Sequence, residues 1–390
     1  MFHGTAAGVM DFALTQEQET LKASVIEFAR KELNKDLRLR DKEGRFSREA
    51  WQACARFGIQ GLPVPKEFGG SGVDIITTVA LMEGLGYACK DNGLIFSLNA
   101  QRWSLELPII QFGTLDQKNK YLPGLSSGEI IGVHAITEAG SGSDAFSMST
   151  NARRVGDHYL LNGSKTFITN APVADVVIVF AILSPGHGFS GATAFLVEKN
   201  TPGFRVGREL DKMGLRTSPM GEIILDNCEV PFANRLGPEG AGLSIFNSSM
   251  EWERSCILSC AIGAMQRQLE ACVNYAKTRK QFGQPIGKFQ SISNKIADMY
   301  LRLEAARLMI YKVAWLKHQG RPAMAEAAAA KVFVSEAWIQ SSLQAIQIHG
   351  AFGYMTDSEI ERDLRDSVAG TIYSGTSEIQ RVIIASSLGL

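Results

Sequence analysis

The chain has 390 residues, of which 45% are hydrophobic, enough for two or three structural units with large apolar cores. Its 40 lysines and arginines balance 40 aspartates and glutamates, so the formal net charge is zero. No basic stripe runs along the chain, which argues against a nucleic acid as its partner.

The N-terminal part is predicted to be helical. The first 15 residues lack a basic start and a long apolar core, so we do not expect a signal peptide. From there to residue 120 the pattern is helical, and Thr15 with Gln18 resembles a capping box that opens the first helix. We therefore predict an N-terminal helical domain over residues 1–125.

Near residue 130 the pattern changes to short β-strands. The segment DHYLLNGSKTFIT is apolar and β-rich, and Asn162-Gly163 predicts a hairpin turn within it. Further apolar runs separated by glycine and proline predict more strands, which gives a middle β domain over 126–238. The rest of the chain is Ala-rich and helical, and we predict a C-terminal helical domain over 239–390.

Cysteine usage and hydropathy indicate a compartment. The six cysteines are irregularly spaced and form no CxxC pair, so free thiols are expected, without a disulfide framework or a metal site. No run of eighteen apolar residues is present, so we expect no membrane span. Together these features predict a protein of the reducing cytoplasm.

Two segments of the middle domain suit a planar, phosphate-bearing ligand. The loop ITEAGSGSD includes Gly142 and Ser143, and its backbone N–H groups and hydroxyls can approach a flavin ring or a phosphate closely. In KTFITNA, Phe167 and Thr169 lie on one face of a predicted strand and can present a ring and a hydroxyl together. Each segment alone is also compatible with an ordinary turn or with sandwich packing. No GxGxxG motif follows a strand, so a Rossmann nicotinamide site is not supported.

Three segments of the C-terminal domain have a similar character. RKQFGQPIGKFQ begins with Arg279, which is a strong phosphate donor. QIHGAFGY is a Gly-rich helix end. TIYSGTSEIQR, at 371–381, joins a turn to a new helix start, where free N–H groups favour an anion or a polar ligand edge.

In this order, the segments resemble those of the acyl-CoA dehydrogenase flavoproteins over essentially the whole chain. The motifs that carry the resemblance are LPVPKEFGGSG, ITEAGSGSD, GSKTFITNA, MGLRTSP, TRKQFGQPIGKFQ and IYSGTSEIQR. The resemblance implies an α+β fold with an N-terminal helical domain, a middle β-barrel domain and a C-terminal four-helix bundle. It also implies FAD bound between the β domain and the C-terminal helices of a homotetramer or homodimer, in which a neighbouring subunit completes the site. The implied reaction is thioester dehydrogenation, with electrons passing to an electron-transfer flavoprotein or to dioxygen.

The resemblance implies the cofactor contacts residue by residue. Around the flavin they are Ile136, Thr137, Gly142, Ser143, Phe167 and Thr169. Toward the pyrophosphate and adenosine of a neighbour's FAD they are Arg279, Phe282, Gln290, Gln347 and Gly350, and at the C-terminal adenosine contact they are Thr376 and Glu378. The family usually has a second glycine where this chain has Ala351.

The catalytic base is displaced in this chain, because the commonest family position for the carboxylate holds Ser374. A thioester α-proton is too weakly acidic for water to remove at neutral pH, so the reaction requires a placed carboxylate and donors for the thioester oxygen. The backbone N–H of residue 374 can still bind that oxygen, since any residue except proline supplies one. Relatives of the isovaleryl type take the base from a Glu directly before an Arg on an earlier helix, and Glu253-Arg254 matches that pattern. A solvated surface glutamate is the alternative, but the missing carboxylate at 374 favours Glu253 as the base.

The residues expected to contact the substrate are Arg102, Ser143, Arg254 and Tyr373. In the family, the segment around Arg102 lies along the wall of the acyl pocket. Because a buried arginine without a partner is costly, we expect Arg102 either to reach solvent or to meet an acceptor such as Glu106. The second hypothesis is that Arg102 recognises a polar or anionic acyl terminus.

Within the family, MEWER and IYSGT are closest to the branch of carrier-protein-dependent dehydrogenases that includes the prolyl-carrier-protein enzymes. Those enzymes tend to have a histidine followed by an apolar residue where this chain has Gln101-Arg102, which leaves the acyl group open. The favoured function is therefore dehydrogenation of an acyl or aminoacyl group held on a carrier protein. The alternatives are a catabolic enzyme for a short, branched or polar acyl-CoA, and a non-redox binding protein that kept the fold.

Overall fold

The computed structural model describes residues 13–145, 147–183 and 191–390. Most of the N-terminal stretch that was expected not to be a signal peptide lies outside these residues. In the described part of the chain, no helix is both long and apolar enough to span a membrane.

The N-terminal part is helical, as predicted. Thr15 and Gln18 form the predicted capping box: each side chain accepts a hydrogen bond from the other residue's backbone N–H. A single π-helical turn over Arg102–Glu106 joins the fifth helix to the sixth. The helices are α1 (Gln16–Glu32), α2 (Leu37–Glu43), α3 (Arg48–Phe57), α4 (Ile75–Ala88), α5 (Asn92–Gln101), α6 (Leu107–Phe112) and α7 (Leu115–Ser126).

The middle part is a sheet domain. Its strands are β1 (Gly132–Ala135), β2 (Asn151–Val155), β3 (His158–Thr169), β4 (Val176–Ile182), β5 (Ala192–Glu198), β6 (Phe204–Glu209), β7 (Met220–Pro231) and β8 (Arg235–Leu236). They form one sheet in the order β6-β7-β3-β2-β4-β5-β8, with β1 added parallel to β4. Val133 and Ala135 of β1 face an apolar core within the sheet domain, whereas Ile136 belongs to a second core shared with α6 and α7.

The predicted hairpin turn at Asn162-Gly163 is wrong. Both residues lie inside β3, and the chain turns earlier, at Gly156-Asp157, between Val155 and its partner His158. Gly163 instead marks a shift of register against β7. A Cβ there would lie 2.5 Å from the Thr150 hydroxyl oxygen, so glycine allows a close approach between segments.

The C-terminal part is helical. Its elements are α8 (Gly242–Cys256), α9 (Ser259–Thr278), β9 (Lys280–Gln281), β10 (Gln284–Pro285), α10 (Gln290–His318), α11 (Met324–His349), α12 (Ala351–Tyr354), α13 (Ile360–Val368) and α14 (Ser377–Ser387). Helices α9, α10 and α11 pack against one another, and the β9-β10 hairpin separates α9 from α10. The predicted α+β arrangement of helical, β and helical parts is confirmed.

A buried carboxyl on α13 joins the three parts of the chain. Asp366 accepts a hydrogen bond from the Leu215 backbone N–H of the β part (2.5 Å) and from the Asn92 amide of the N-terminal part (2.9 Å). Burial raises the pKa of Asp366 to about 7, although both hydrogen bonds oppose that shift. The junction therefore fixes how the helical parts frame the sheet.

The variant Asp366→Ala tests this junction. It leaves the buried Leu215 N–H without its acceptor and the Asn92 amide with Asp363 alone, so the free energy of unfolding should fall by about 1–3 kcal/mol. Because the folded pKa is raised, the contribution of Asp366 to stability is full below about pH 4 and is lost as the pH rises through about 7. The difference between wild type and variant, measured by denaturant unfolding, should therefore narrow as the pH rises.

The control is Asp357→Ala, because the Asp357 side chain is 68% exposed and pairs with Arg38 at the surface. Such pairs contribute little, so this variant should stay within about 1 kcal/mol of wild type. Equal losses in the two variants would contradict the role given to Asp366.

Candidate active site

Glu253 lies near the end of α8, on the face of the helix that packs into the protein. Ile245, Met250 and Cys256 are buried on the same helix, and Glu253 itself is only 8% exposed. A helix spacing of three or four residues places these side chains on neighbouring positions of one face. The alternative of a solvated surface glutamate is therefore wrong for Glu253.

The two oxygens of the Glu253 carboxylate have different environments. Oε1 accepts a hydrogen bond from the Ser374 hydroxyl at 2.6 Å. Oε2 is buried and has no hydrogen-bond partner among the described residues. Glu251 points elsewhere, because its Oε1 accepts from the Lys317 ammonium (2.7 Å) and the Ala323 N–H (2.8 Å). Of these two carboxylates on α8, Glu253 is the one that meets the loop of Ser374 and retains a free oxygen.

The loop that carries Ser374 is held in an unusual backbone conformation. Ser374 and Gly375 have φ angles of 55° and 88°, in the left-handed region, which costs a residue with a side chain about 1–2 kcal/mol. The Gln380 amide donates to both carbonyl oxygens, at 3.0 Å and 3.1 Å, and holds the turn. The backbone N–H of Ser374 has no partner in the described part of the chain. It is therefore available as a donor for a ligand oxygen.

Aromatic and cationic side chains surround this loop. The Tyr373 ring packs on Phe96, with ring centroids 4.8 Å apart, and the Lys331 ammonium lies 5.8 Å from the Tyr373 ring centroid. Burial lowers the pKa of Lys331 to about 8 and raises the pKa of the Tyr373 hydroxyl. Arg254 is buried, its Nε has no partner among the described residues, and burial lowers its pKa against the opposing charge of Glu253. The site thus combines one carboxylate with two incompletely paired cations.

The first predicted cofactor loop is fixed from below by a buried ion pair. The Lys165 ammonium on β3 donates to Glu138 (2.8 Å) and to the Ile136 carbonyl (3.0 Å). Burial raises the pKa of Glu138, but the bonds from Lys165, Ser149 and Thr150 outweigh burial and lower it to about 2. A charged Glu138 therefore ties the loop to the sheet.

Above this ion pair, the predicted cofactor residues present free groups. The Gly142 and Ser143 N–H groups and the Thr137 and Thr169 hydroxyls have no partner within the described residues. Phe167 is 60% exposed at a φ of 57°, where a register shift in β3 turns it outward. Free donors beside an exposed ring fit a planar, phosphate-bearing cofactor such as FAD.

A second group of predicted cofactor residues lines a separate open cavity of about 750 Å³. Arg279, Phe282 and Gly350 lie together there, and Ala351 lines the same wall. Phe282 is 92% exposed at a φ of 49° in the tight turn between β9 and β10. None of the described lining residues comes from the 136–144 loop or from β3. The two groups of predicted cofactor residues therefore lie on different surfaces of the chain.

The remaining predicted cofactor residues are not among the described residues that line this cavity. Gln290 and Gln347 are exposed and are chain neighbours of the lining residues Phe289 and Ile348. The Thr376 hydroxyl caps α14 by accepting from the Ile379 N–H at 3.3 Å, and Glu378 is exposed in the first turn of that helix. Ile136 is buried beneath the first loop.

The side chain of Arg102 is fully buried, so the expectation that it reaches solvent is wrong. The guanidinium donates to the Ile59 carbonyl and to Asn99 Oδ1 (3.3 Å), while its Nε has no partner among the described residues. No ion-pair contact joins it to Glu106 in this part of the chain, although its charge opposes the burial that raises the pKa of Glu106 to about 7. Its contacts hold the fold, and a role toward the substrate remains a prediction.

Three residues of the site were missed by sequence reasoning. Gln380 holds the loop, Lys331 faces Tyr373, and His134 lies on β1 with a buried Nδ1 that has no partner in the described chain. Burial lowers the pKa of His134, while the nearby charge of Glu253 opposes the shift. A lone lysine in the Ala-rich run AAAAKVFV was a visible signal, since lysine is rarely buried without a role. In the described residues, no cluster of His, Cys, Asp or Glu is arranged to hold a metal ion.

Family models for the N-terminal, middle and C-terminal domains of acyl-CoA dehydrogenases match residues 15–129, 134–228 and 240–389. Three similar proteins illustrate the range of the relatives. The prolyl acyl carrier protein oxidase AnaB is 52% identical with a TM-score of 0.96, covering 97% of this chain and 100% of its own. PigA, solved with FAD and proline, is 42% identical with a TM-score of 0.95, covering 98% and 100%. An acyl-CoA dehydrogenase of Bacillus subtilis (strain 168) is 43% identical over 96% of this chain and 98% of its own length.

Arg102→Leu separates the two roles considered for Arg102. Removal of the guanidinium leaves the buried Ile59 carbonyl without its donor, so we expect a loss of about 1–3 kcal/mol in unfolding free energy and an unchanged preference among acyl thioesters. Thermal unfolding and a comparison of plain and polar acyl substrates measure the two effects. Arg56→Leu, at an exposed position on α3, is the control for loss of an arginine. A shift toward plain aliphatic acyl groups would instead support recognition of a polar acyl terminus.

Proposed function

The chain belongs to the acyl-CoA dehydrogenase family, and we propose that it dehydrogenates an acyl or aminoacyl thioester held on a carrier protein. It is an oxidoreductase that acts on CH–CH groups. The observation that carries the proposal is that two unpartnered groups lie at the same contact. Among the described residues, Glu253 Oε2 has no partner, and neither does the backbone N–H of Ser374, whose hydroxyl donates to the other oxygen of Glu253.

These two groups match the two needs of α-proton removal. Glu253 Oε2 takes the proton from the α-carbon, and the electron pair of that C–H bond stays on the acyl group. The Ser374 N–H donates to the thioester oxygen, where negative charge develops. The same electron pair then forms the α,β double bond as the β-hydrogen leaves with its two electrons. Burial of Glu253 Oε2 keeps water away from the carboxylate that takes the proton.

FAD is the cofactor of this reaction, and when bound it supplies the acceptor for the hydride that leaves the β-carbon. Thr137, Ser143, Phe167 and Thr169 would hold its flavin end through free donors and an exposed ring. The cavity around Arg279 would hold the pyrophosphate and adenosine of a neighbouring subunit's cofactor, in a homotetramer or homodimer. Electrons then leave to an electron-transfer flavoprotein or to dioxygen, and oxygen consumption during turnover distinguishes the two acceptors.

The carrier-protein assignment is supported by the similarity to AnaB, a prolyl acyl carrier protein oxidase, and to PigA, which was solved with proline. The Bacillus acyl-CoA dehydrogenase is similar to a comparable degree, so free acyl-CoA is the competing substrate class. The reacting thioester is the same in both classes, and the difference lies beyond the pantetheine arm. A prolyl group is the first aminoacyl substrate to test.

Glu253→Gln should abolish most of the reaction while leaving the cofactor bound. The amide keeps the shape of the side chain but cannot accept the proton, so reduction of the flavin by substrate should slow by about 10²–10⁴-fold. Stopped-flow bleaching of the flavin absorbance measures the rate. Glu251→Gln, two residues away on α8 and paired with Lys317, is the matched control and should retain near-normal reduction. A mild effect at Glu253 with a large one at Glu251 would overturn the assignment of the base.

The purified protein should be yellow, with close to one FAD per chain. Arg279→Ala removes an exposed cation from the 750 Å³ cavity, so both FAD retention and subunit assembly should weaken. Flavin content and light scattering measure these effects, and Lys280→Ala removes the neighbouring exposed cation as a control. A folded, colourless protein that does not bind added FAD would contradict the proposal.

A competition between carriers tests the substrate class directly. Prolyl and butyryl groups are each loaded on a cognate carrier protein and on CoA, and the rate of flavin bleaching is compared at equal concentrations. We expect faster bleaching with the carrier-bound form, because carrier and enzyme surfaces add contacts beyond the pantetheine arm. Clearly faster bleaching with the CoA thioester would contradict the carrier-protein proposal and support an acyl-CoA dehydrogenase that acts on free acyl-CoA.

A further inference from the structure

The side chain at position 374 makes a contact that the backbone alone does not require. The backbone N–H could serve the thioester oxygen with glycine at this position, and glycine would adopt the φ of 55° without strain. The chain instead has a serine, whose hydroxyl donates to Glu253 Oε1 at 2.6 Å. The chain therefore keeps a side chain in a backbone conformation that is costly for it, and the hydroxyl of that side chain contacts the carboxylate.

The consequence for Glu253 is geometric. A glutamate side chain has several rotatable bonds, and a bond from the loop to one oxygen selects the orientation in which the other oxygen is free. The loop is itself clamped by the Gln380 amide on the Ser374 and Gly375 carbonyls. The bond thus connects a rigid turn to the end of α8 and leaves Oε2 buried and without a partner in the described chain.

The consequence is also electrostatic. Burial disfavours a charged carboxylate, whereas a hydrogen bond donated to the charged form favours it. Only the charged form can accept the α-proton. The Ser374 hydroxyl, which donates to Oε1 at 2.6 Å, therefore favours the charged form of Glu253 that can act as a base.

We propose that Ser374 is a positioning residue: its hydroxyl orients Glu253 and favours the charged carboxylate, so that Oε2 receives the α-proton. This inference rests on the proposed function, because it assumes that Glu253 is the base. The same residue then acts at two points: its N–H serves the thioester oxygen and its hydroxyl serves the base.

The test uses FAD-loaded Ser374→Ala and Ser374→Gly. Both lack the hydroxyl, but glycine also relieves the backbone, so the pair separates loss of the donor from strain in the loop. The probe is the pantetheine thioester, prolyl or butyryl, that bleaches wild-type flavin faster. In both variants we expect the rate of flavin reduction to fall by about 10-fold or more with KM nearly unchanged, because the base loses its orientation and substrate binding does not change. Ser387→Ala, at an exposed position on α14, is the control.

A second readout does not depend on flavin reduction. In deuterium oxide without an electron acceptor, α-deuterium incorporation into excess unreacted thioester reports proton removal alone. It should slow in both Ser374 variants by about the same factor as reduction does. Wild-type rates of exchange and of reduction in Ser374→Gly, together with loss of exchange in Glu253→Gln, would overturn the positioning role and leave the proposed base intact. Normal exchange in Glu253→Gln would instead overturn the base assignment itself.

Discussion

The chemistry proposed for this protein depends on one requirement: a buried carboxylate must stay charged and keep one oxygen free beside the acyl α-carbon. Burial makes this difficult, because it favours the neutral form and a free oxygen loses its hydration. The bond from Ser374 to Glu253 meets both demands at once, since it supports the charge at Oε1 and leaves Oε2 without a partner among the described residues. The Gln380 amide holds the Ser374 end of this bond, and the packed end of α8 holds the Glu253 end.

The surroundings of Glu253 show how the cost of the buried charge is offset. Arg254 and Lys331 are both buried with a nitrogen atom that has no partner among the described residues. Each loses hydration, which lowers its pKa, and each places positive charge in the region of the carboxylate. A fully paired ion cluster would be more stable but would leave no acceptor for a proton. Incomplete pairing of this kind is what a site needs if one of its charges must react.

The order of the parts was predictable from the sequence because it rests on local patterns. The carboxylate missing at 374 made Glu253 the candidate base, and the structure brings the two residues into contact. Asn162-Gly163 failed as a turn, because a glycine needed for close approach has the same local signature as a glycine needed for a hairpin. The hydroxyl contact of Ser374 could not be predicted either, since its partner lies 121 positions earlier and no local pattern links them.

Moving the base from the loop to a helix changes what the loop must do. With a carboxylate at 374, one residue would supply both the base and the N–H for the thioester oxygen, and their relative positions would be fixed within that residue. With Glu253 as the base, the two groups come from segments far apart in the chain, and small movements of α8 against the loop would separate them. Two contacts oppose movement of α8. The Ser249 hydroxyl on α8 donates to the Trp103 carbonyl at 2.9 Å, and the Ser374 hydroxyl of the loop donates to Glu253 directly. A serine at 374 therefore re-establishes, through a hydrogen bond, the coupling that a single residue would have provided covalently.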